Sequence, residues 1–397
     1  MAIPTLTMIP SGYKAGKIYS VLPTNGDGDF TTSRSSSATR INKSGLIETV
    51  LSNVPRLDYS DGSCPSLLLE PQSTNLIPYS EQFNNWSDTG VTVTSNATIS
   101  PSGELNADKL QSTTNNWRRS RSYTATNGTE YSVSIYAKLD TSTSTTTAKI
   151  EMYRGSNSIA STFNLSTGSI SGSLDNTFIE NVGNGWYRIG GTYVANGTNN
   201  IFYLYPSSGY GSAGTMFFWG AQVEQQSYPT SYISTNGSAV TRNLDTCFGA
   251  GDSSTFNISE GVLYAEIKSF TNDISSYQSI QLGVSGSSVN RVGLGYSSTG
   301  NLFVYKHNGV TSWNSQYSSN LKTYNKIAIT YSNSVNSFWL NGVKIATNTS
   351  VGELTSQPNI LSFNSPTSSE RFYNKTKDLR YYNTALTDAE LQELTTI

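Results

Sequence analysis

Thr129-Glu130-Tyr131-Ser132-Val133-Ser134-Ile135-Tyr136-Ala137-Lys138-Leu139 alternates along most of its length. Side chains on a strand point to opposite faces in turn, so Tyr131, Val133, Ile135, Ala137 and Leu139 share one face. Glu130, Ser132, Ser134 and Lys138 fall on the other, which predicts a half-buried strand. Similar short runs recur at 148–153, 186–189, 201–205 and 215–224, then at 261–268, 279–284, 302–306, 326–331 and 336–347. Gly, Asn, Ser and Pro clusters separate them. Many short strands broken by turn residues predict an all-β chain of sandwich type. The strongest hairpin signal is Phe338-Trp339-Leu340-Asn341-Gly342-Val343-Lys344-Ile345, with Asn-Gly between apolar runs as a type I′ turn requires. A short helix is predicted near the end. Thr387 and Glu390 make a capping box, and Leu391 and Leu394 give the helix an apolar stripe.

Composition agrees. Charged residues make up 13% of the 397 residues, about half the usual share, while Tyr (25) and Gly (33) are plentiful. A net charge of −2 without a long run of one sign argues against nucleic acid or an anionic membrane as the main partner. Arg118, Arg119 and Arg121 form the one basic cluster, read as a solvated strand face or as a contact for phosphate or an acidic glycan. Cys64 and Cys247 are too few for a disulfide framework and are expected to be free, buried thiols. The opening MAIPTLTMIPSGYKAGKIYS lacks a charged segment followed by an apolar one, so no cleaved signal is expected. No stretch approaches ~18 apolar residues, so no membrane insertion is expected.

Residues 37–76 differ from the rest. Short apolar groups (Leu46-Ile47, Val50-Leu51, Leu67-Leu68-Leu69) are separated by turn-forming Asn-Lys-Ser-Gly, Asn-Val-Pro and Asp-Gly-Ser. Such a segment cannot bury enough of itself to fold alone and should be ordered by packing on something else. Ala38-Thr39-Arg40-Ile41-Asn42, Gly45-Leu46-Ile47-Glu48, Asn53-Val54-Pro55-Arg56-Leu57-Asp58-Tyr59 and Leu68-Leu69-Glu70-Pro71-Gln72-Ser73-Thr74-Asn75-Leu76 resemble the N-terminal attachment module of tailed-bacteriophage virion proteins. The resemblance implies a tail- or head-fibre type appendage on the virion surface, assembled in the bacterial host cytoplasm. It implies an anchor to other virion proteins through Arg40, Asn42, Glu48, Arg56, Asp58, Tyr59, Glu70 and Asn75. Fibres of this kind are homo-oligomers, and a trimer is the first expectation, although no trimerisation heptad is visible.

Two further resemblances follow. Phe83-x-x-Trp86, the 131–138 strand, Gly185-Trp186-Tyr187-Arg188 and the closing 217–224 strand resemble jelly-roll carbohydrate-binding modules. The Asn-Gly hairpin, the Lys326–Tyr331 strand and the Tyr-Asn-x-Ala-Leu-Thr-Asp-x-Glu-Leu ending resemble concanavalin A-like, laminin-G-like jelly rolls. The expected architecture is all-β: an irregular N-terminal attachment module at 1–75, a carbohydrate-binding-like sandwich at 76–242, and a concanavalin-like sandwich with one short C-terminal helix at 243–397. Ser227–Ile233 reads as a linker.

Catalytic candidates are sparse. The one histidine, His307, falls in a Lys-His-Asn-Gly turn, which leaves no hydrolase triad and no histidine-rich metal site. Glycosidases need only two carboxylates about 5–10 Å apart. The Glu-x-Asp-x-x-Glu strand of concanavalin-like glycosidases is missing, and Glu260, Glu266 and Glu353 stand isolated. Asn25-Gly26-Asp27-Gly28-Asp29 lacks the closing Glu of a calcium loop and reads as a turn. No cofactor is expected. Calcium is the ion the concanavalin-like resemblance would bring, with Asp252 and Asp273 the nearest ligands and equally turn residues.

Binding needs less: aromatic faces for sugar rings and short polar groups for hydroxyls. Trp313 in a polar edge segment, Trp117 with Arg118, and Tyr205 and Tyr210 around a Pro-Ser-Ser-Gly loop are the candidates. The expected function is a non-catalytic virion protein presenting lectin-like domains to host or environmental glycans. The alternatives are a purely structural decoration protein and, third, a glycan depolymerase.

Overall fold

A computed structural model describes residues 2–112, 118–209 and 212–397. The chain is almost entirely β and separates into two compact units, each discontinuous in sequence. One comprises residues 1–37, 50–71 and 244–397; the other comprises 38–49 and 72–243. This differs from the expected serial arrangement. Residues 1–75 do not make a module of their own: most of them complete the C-terminal sandwich, and 38–49 and 72–75 belong to the central one.

In the C-terminal unit an eight-stranded antiparallel sheet runs Val343–Asn348, Asn336–Leu340, Asn325–Tyr331, Gly261–Lys268, Lys375–Tyr382, Ser66–Leu68, Arg56–Asp58, with Leu6–Met8 also paired to Lys375–Tyr382. Leu6 lies opposite Tyr381, and Leu68 opposite Lys375. A five-stranded sheet, Ser312–Tyr317, Leu302–His307, Arg291–Tyr296, Gln278–Gly283, Ile360–Ser362, supplies the other layer. The core joins Leu263, Ile280, Leu294, Val304, Ile329 and Phe338 to Leu6, Met8, Ile18, Phe30, Leu57, Leu67 and Leu69. The N-terminal segment is thus ordered by packing, and its support is its own chain.

Local signals were met where they were strongest. Asn341 (φ 50°) and Gly342 (φ 83°) both lie in the left-handed region that the hairpin turn demands. The capping box of Thr387 and Glu390 opens the helix Asp388–Thr395, whose Leu391 and Leu394 pack with Tyr264, Ala328 and Trp339. Cys247 is buried as expected, whereas Cys64 is exposed. It ends the polar loop 58–64, whose Asp58 and Asp61 pair with Lys375 at 3.0 and 2.8 Å.

The central unit is a sandwich of two six-stranded antiparallel sheets. The first runs Ser87–Thr89, Arg118–Thr124, Asn199–Tyr205, Thr147–Tyr153, Ser158–Asn164, Ile170–Gly172; the second runs Val91–Ile99, Leu105–Ser112, Thr215–Glu224, Glu130–Leu139, Trp186–Val194, Asp175–Gly183. Val133, Ile135 and Phe218 from the second meet Ile150, Met152, Phe202 and Leu204 from the first.

Glu130–Leu139 is buried on both faces, not on one as the alternation predicted. Its polar-face neighbours sit under a second apolar layer, in which Ile47, Ala107, Tyr136, Trp186, Trp219 and Tyr232 cluster. Ser227–Ile233 is therefore no linker: Tyr232 packs on Trp219 at 4.4 Å between ring centroids, and its hydroxyl donates to Glu81. On this face Arg188 Nη2 donates to Ser134 Oγ (3.0 Å) and to the Thr230 carbonyl (2.8 Å). The central strands of the second sheet are covered on both faces, and the open face of this unit belongs to the first.

Candidate functional site: a basic, tyrosine-lined sheet face

Antiparallel register fixes which side chains meet on that open face. Leu204 and Phe202 point into the core, so Tyr205, Tyr203 and Ile201 point out. Ser120, Tyr203, Glu151 and Ala160 lie in one row across the sheet; Ser122, Ile201, Tyr153 and Ser158 form the next; Tyr205, Lys149 and Thr162 form the third. Arg118 projects beside the third row. Opposed side chains in such rows interact directly.

The charged groups form one cluster. Arg118 sits over the Tyr203 ring, 3.7 Å from its centroid, and its Nη1 donates to the Tyr205 hydroxyl at 3.2 Å. That hydroxyl donates to Glu151 Oε2 at 2.8 Å, and Lys149 Nζ lies 3.1 Å from the same oxygen and 4.7 Å from the Tyr205 ring centroid. Burial alone would raise the Glu151 pKa, but the Tyr205 and Lys149 hydrogen bonds outweigh it and hold the carboxylate ionised. Burial pushes the Tyr205 phenol above its ordinary range, so it stays protonated and keeps donating. Cations over aromatic faces gain roughly 0.5–1 kcal/mol each at exposed sites. The result is a pre-set polar surface: two cations, one carboxylate, and an array of hydroxyls around half-buried Tyr203 and Tyr153.

Two of the residues expected to bind ligand, Arg118 and Tyr205, are brought together here. Tyr205 is only 1% exposed, so it positions Arg118 and Glu151 and offers no ring to a ligand. Trp117 and Tyr210 lie outside the described residues. Arg119 turns inward, donating to the carbonyls of Trp86 (3.0 Å) and Val91 (2.6 Å), and Arg121 donates to the Asn85 carbonyl. The basic cluster is thus divided by strand alternation. Lys149, Glu151 and Tyr203 were missed.

Trp313 is half-buried and faces inward in register with Lys306, packing against the C-terminal core. Its ring is accounted for by packing. Trp313→Ala is expected to destabilise that unit by about 1–3 kcal/mol, read as a fall in Tm. Unchanged Tm with lost ligand binding would restore it to a site. His307 closes the strand Leu302–His307, with its Nδ1 accepting from the Gly309 amide at 2.9 Å. Asp252 and Asp273 are exposed turn residues: Asp252 accepts from the Ser254 and Thr255 amides, and the Asp273 amide donates to Thr271. Asp29 caps Ser20, while Asn25 and Asp27 bond each other. No group of three or more His, Cys, Asp or Glu that could hold a metal occurs among the described residues.

The eight residues expected to anchor the chain are engaged within it. Arg40 and Asn42 bond Glu48 at 2.7 and 3.2 Å; Arg56 bonds Glu70 at 2.6 Å; Asp58 pairs with Lys375. Tyr59 packs on the C-terminal core, and Asn75 donates to the carbonyls of Ala221 and Ile233 while accepting from the Ile77 and Val223 amides. Their polar groups serve the fold.

Residues 263–392 match the family described as the concanavalin A-like lectin/glucanases superfamily. No curated protein matches the chain. Among solved structures, the chain is similar to the CBM40 module of Ruminococcus gnavus IT-sialidase bound to α2,3-sialyllactose, at 18% identity over 36% of this chain and 84% of that one (TM-score 0.31). It is similar to domain 4 of AbnA, a GH43 extracellular arabinanase from Geobacillus stearothermophilus in complex with arabinotriose, at 14% identity over 42% and 81% (TM-score 0.33). Domains LG4-5 of the mouse laminin α1 chain match at 9% identity over 77% and 91% (TM-score 0.25). Residues 263–392 of the C-terminal unit thus carry a concanavalin A-like sandwich fold.

Proposed function

We propose that this is a non-catalytic glycan-binding protein whose central sandwich docks sugars on the outer face of its first sheet. The supporting observation is the Arg118–Tyr203–Tyr205–Glu151–Lys149 cluster, a pre-organised polar and aromatic surface on the open side of a rigid sheet. Glycosidic hydrolysis needs an acid and a second carboxylate across the bond. On this face Glu151 is the single carboxylate among the described outward positions, held ionised by its donors, which favours binding over depolymerase chemistry. Each contact would be weak, with Kd on the order of 0.1–1 mM, and repeated copies would raise avidity.

Placement on a virion surface is part of the same proposal and is supported by the resemblance of residues 38–76. Contact with other virion proteins would fall to exposed apolar side chains of the N-terminal region, such as Ile3 and Leu51, since the eight polar candidates are engaged internally. A homo-oligomer, with a trimer first, would supply the avidity. The test is binding of the full chain to a glycan array, beside Tyr203→Ala. Binding that falls at least ten-fold in the variant at unchanged Tm supports the site. A folded wild-type chain that binds no glycan points to the decoration role instead.

A further inference from the structure

Charge on the binding face is unbalanced. Arg118 and Lys149 share one carboxylate, Glu151, at 3.9 and 3.1 Å, so the cluster carries a net charge of +1. The remaining described outward positions in its three rows are Ser87, Ser120, Tyr203, Ala160, Ser122, Ile201, Tyr153, Ser158, Tyr205, Thr162 and Ser171, and none of them is charged. The neighbouring arginines do not add to it, because Arg119 and Arg121 donate to main-chain carbonyls elsewhere. Residues 113–117 and 210–211, outside the described set, include no Asp, Glu, Lys or Arg. A protein with 25 basic and 27 acidic residues therefore has a local cationic excess on its open sheet face, set among hydroxyls.

The excess is placed rather than diffuse. Arg118 is held by the Tyr203 ring beneath it and by the Tyr205 hydroxyl, with its side chain 27% exposed. A guanidinium fixed in this way loses little freedom on meeting a planar carboxylate, to which its fork of N–H donors is matched. Lys149 adds a second positive charge at the far side of Tyr205.

Resting on the glycan-binding reading, we propose that this face selects carboxylate-bearing sugars, of the uronic or sialic acid class, with Arg118 as the principal acid-recognising residue and Lys149 as its electrostatic support. The flanking serine and threonine hydroxyls and the Tyr153 and Tyr203 edges would meet the neutral part of the sugar. Neutral glycans would bind more weakly because they leave the cationic pair without an added partner charge.

The experiment is binding of the full chain to paired glycans that differ only in the acid: sialylated, glucuronylated and galacturonylated oligosaccharides against their neutral or methyl-esterified counterparts. The wild-type chain is expected to prefer at least one acidic member by ten-fold or more, with a preference that weakens as salt is raised. Arg118→Gln and Lys149→Met, checked for unchanged Tm, should each cut that preference at least three-fold while leaving weak binding of the neutral partner. Equal or better binding of the neutral glycans would overturn the acid assignment and leave the glycan-binding reading standing. An acid preference that survives in both folded variants would place recognition elsewhere and overturn it too. A wild-type chain that binds no glycan of either kind would remove both readings. If a variant does not fold, the acid-to-neutral ratio of the wild-type chain decides alone.

Discussion

Removing residues 1–75 is expected to abolish folding of the C-terminal sandwich, although the deleted segment looks like a dispensable attachment arm in sequence. The deletion strips Leu6–Met8, Arg56–Asp58 and Ser66–Leu68 from the eight-stranded sheet. It also removes Leu6, Met8, Ile18, Phe30, Leu57, Leu67 and Leu69 from the core. Fully burying a large apolar side chain contributes roughly 1.5–3 kcal/mol, so this set amounts to roughly 10–20 kcal/mol, as much as the whole net stability of a domain. The central sandwich loses Ile47 from its second apolar layer and the four hydrogen bonds of the Asn75 side chain. The 76–397 chain should show no cooperative unfolding transition for its C-terminal unit, with fast amide exchange through 261–268 and 325–331. A truncated chain with native exchange protection in those strands would show that the N-terminal segment is only an appendage.

Why the sequence suggested the opposite is instructive. Strand existence and turn chemistry are local, so the 131–139 alternation, the Asn341-Gly342 turn and the Thr387/Glu390 box were legible. Cover is not local. Ser132 and Ser134 look solvent-facing until 38–49 and 228–233 return to bury them, and Tyr232 sits in a Ser/Thr/Pro stretch whose composition mimics a linker. The site shows the same division. Arg118 and Tyr205 stood out as an unusual cation and a loop-side aromatic. Lys149 and Glu151 became neighbours of Arg118 and Tyr205 only because Asn199–Tyr205 inserts between Arg118–Thr124 and Thr147–Tyr153, a sheet order that no single stretch encodes. One local signal was available: Lys149, Glu151 and Tyr153 alternate with buried Ala148, Ile150 and Met152, which marks a polar outward row. Domain boundaries failed for the most physical reason. Arg56 and Glu70 were expected to anchor the chain to a partner, yet both are buried, and so are Arg34 and Asp245.

Those four residues lead to the sharpest point-mutation prediction. The C-terminal unit is built from three pieces of chain, and its ends meet at one buried ion cluster. Arg34 lies near the exit at Ser37, Arg56 follows the return at Val50, Glu70 precedes the second exit at Pro71, and Asp245 follows the second return at Leu244. Asp245 accepts from Arg34 Nη1 at 2.9 Å, from the Glu70 amide at 2.9 Å and from Arg56, which also donates to Glu70 at 2.6 Å. Burial pulls the Arg56 pKa down, but Asp245 and Glu70 push it up further, so the guanidinium stays charged. Asp245→Ala removes the buried carboxylate that Arg34 and Arg56 share. Breaking a buried pair in this way costs about 3–5 kcal/mol, because the uncompensated charge cannot reach water. Replacing a whole pair by apolar residues of similar size is far milder. Asp245→Ala should therefore destabilise the C-terminal unit by about 3–5 kcal/mol in denaturant unfolding, while Arg56→Met with Glu70→Leu, which leaves Arg34 paired to Asp245, should cost much less. If Asp245→Ala stays within about 1 kcal/mol of the wild-type chain, the cluster does not clasp the three segments, and packing of Leu57, Leu67 and Leu69 alone holds them to the sheet.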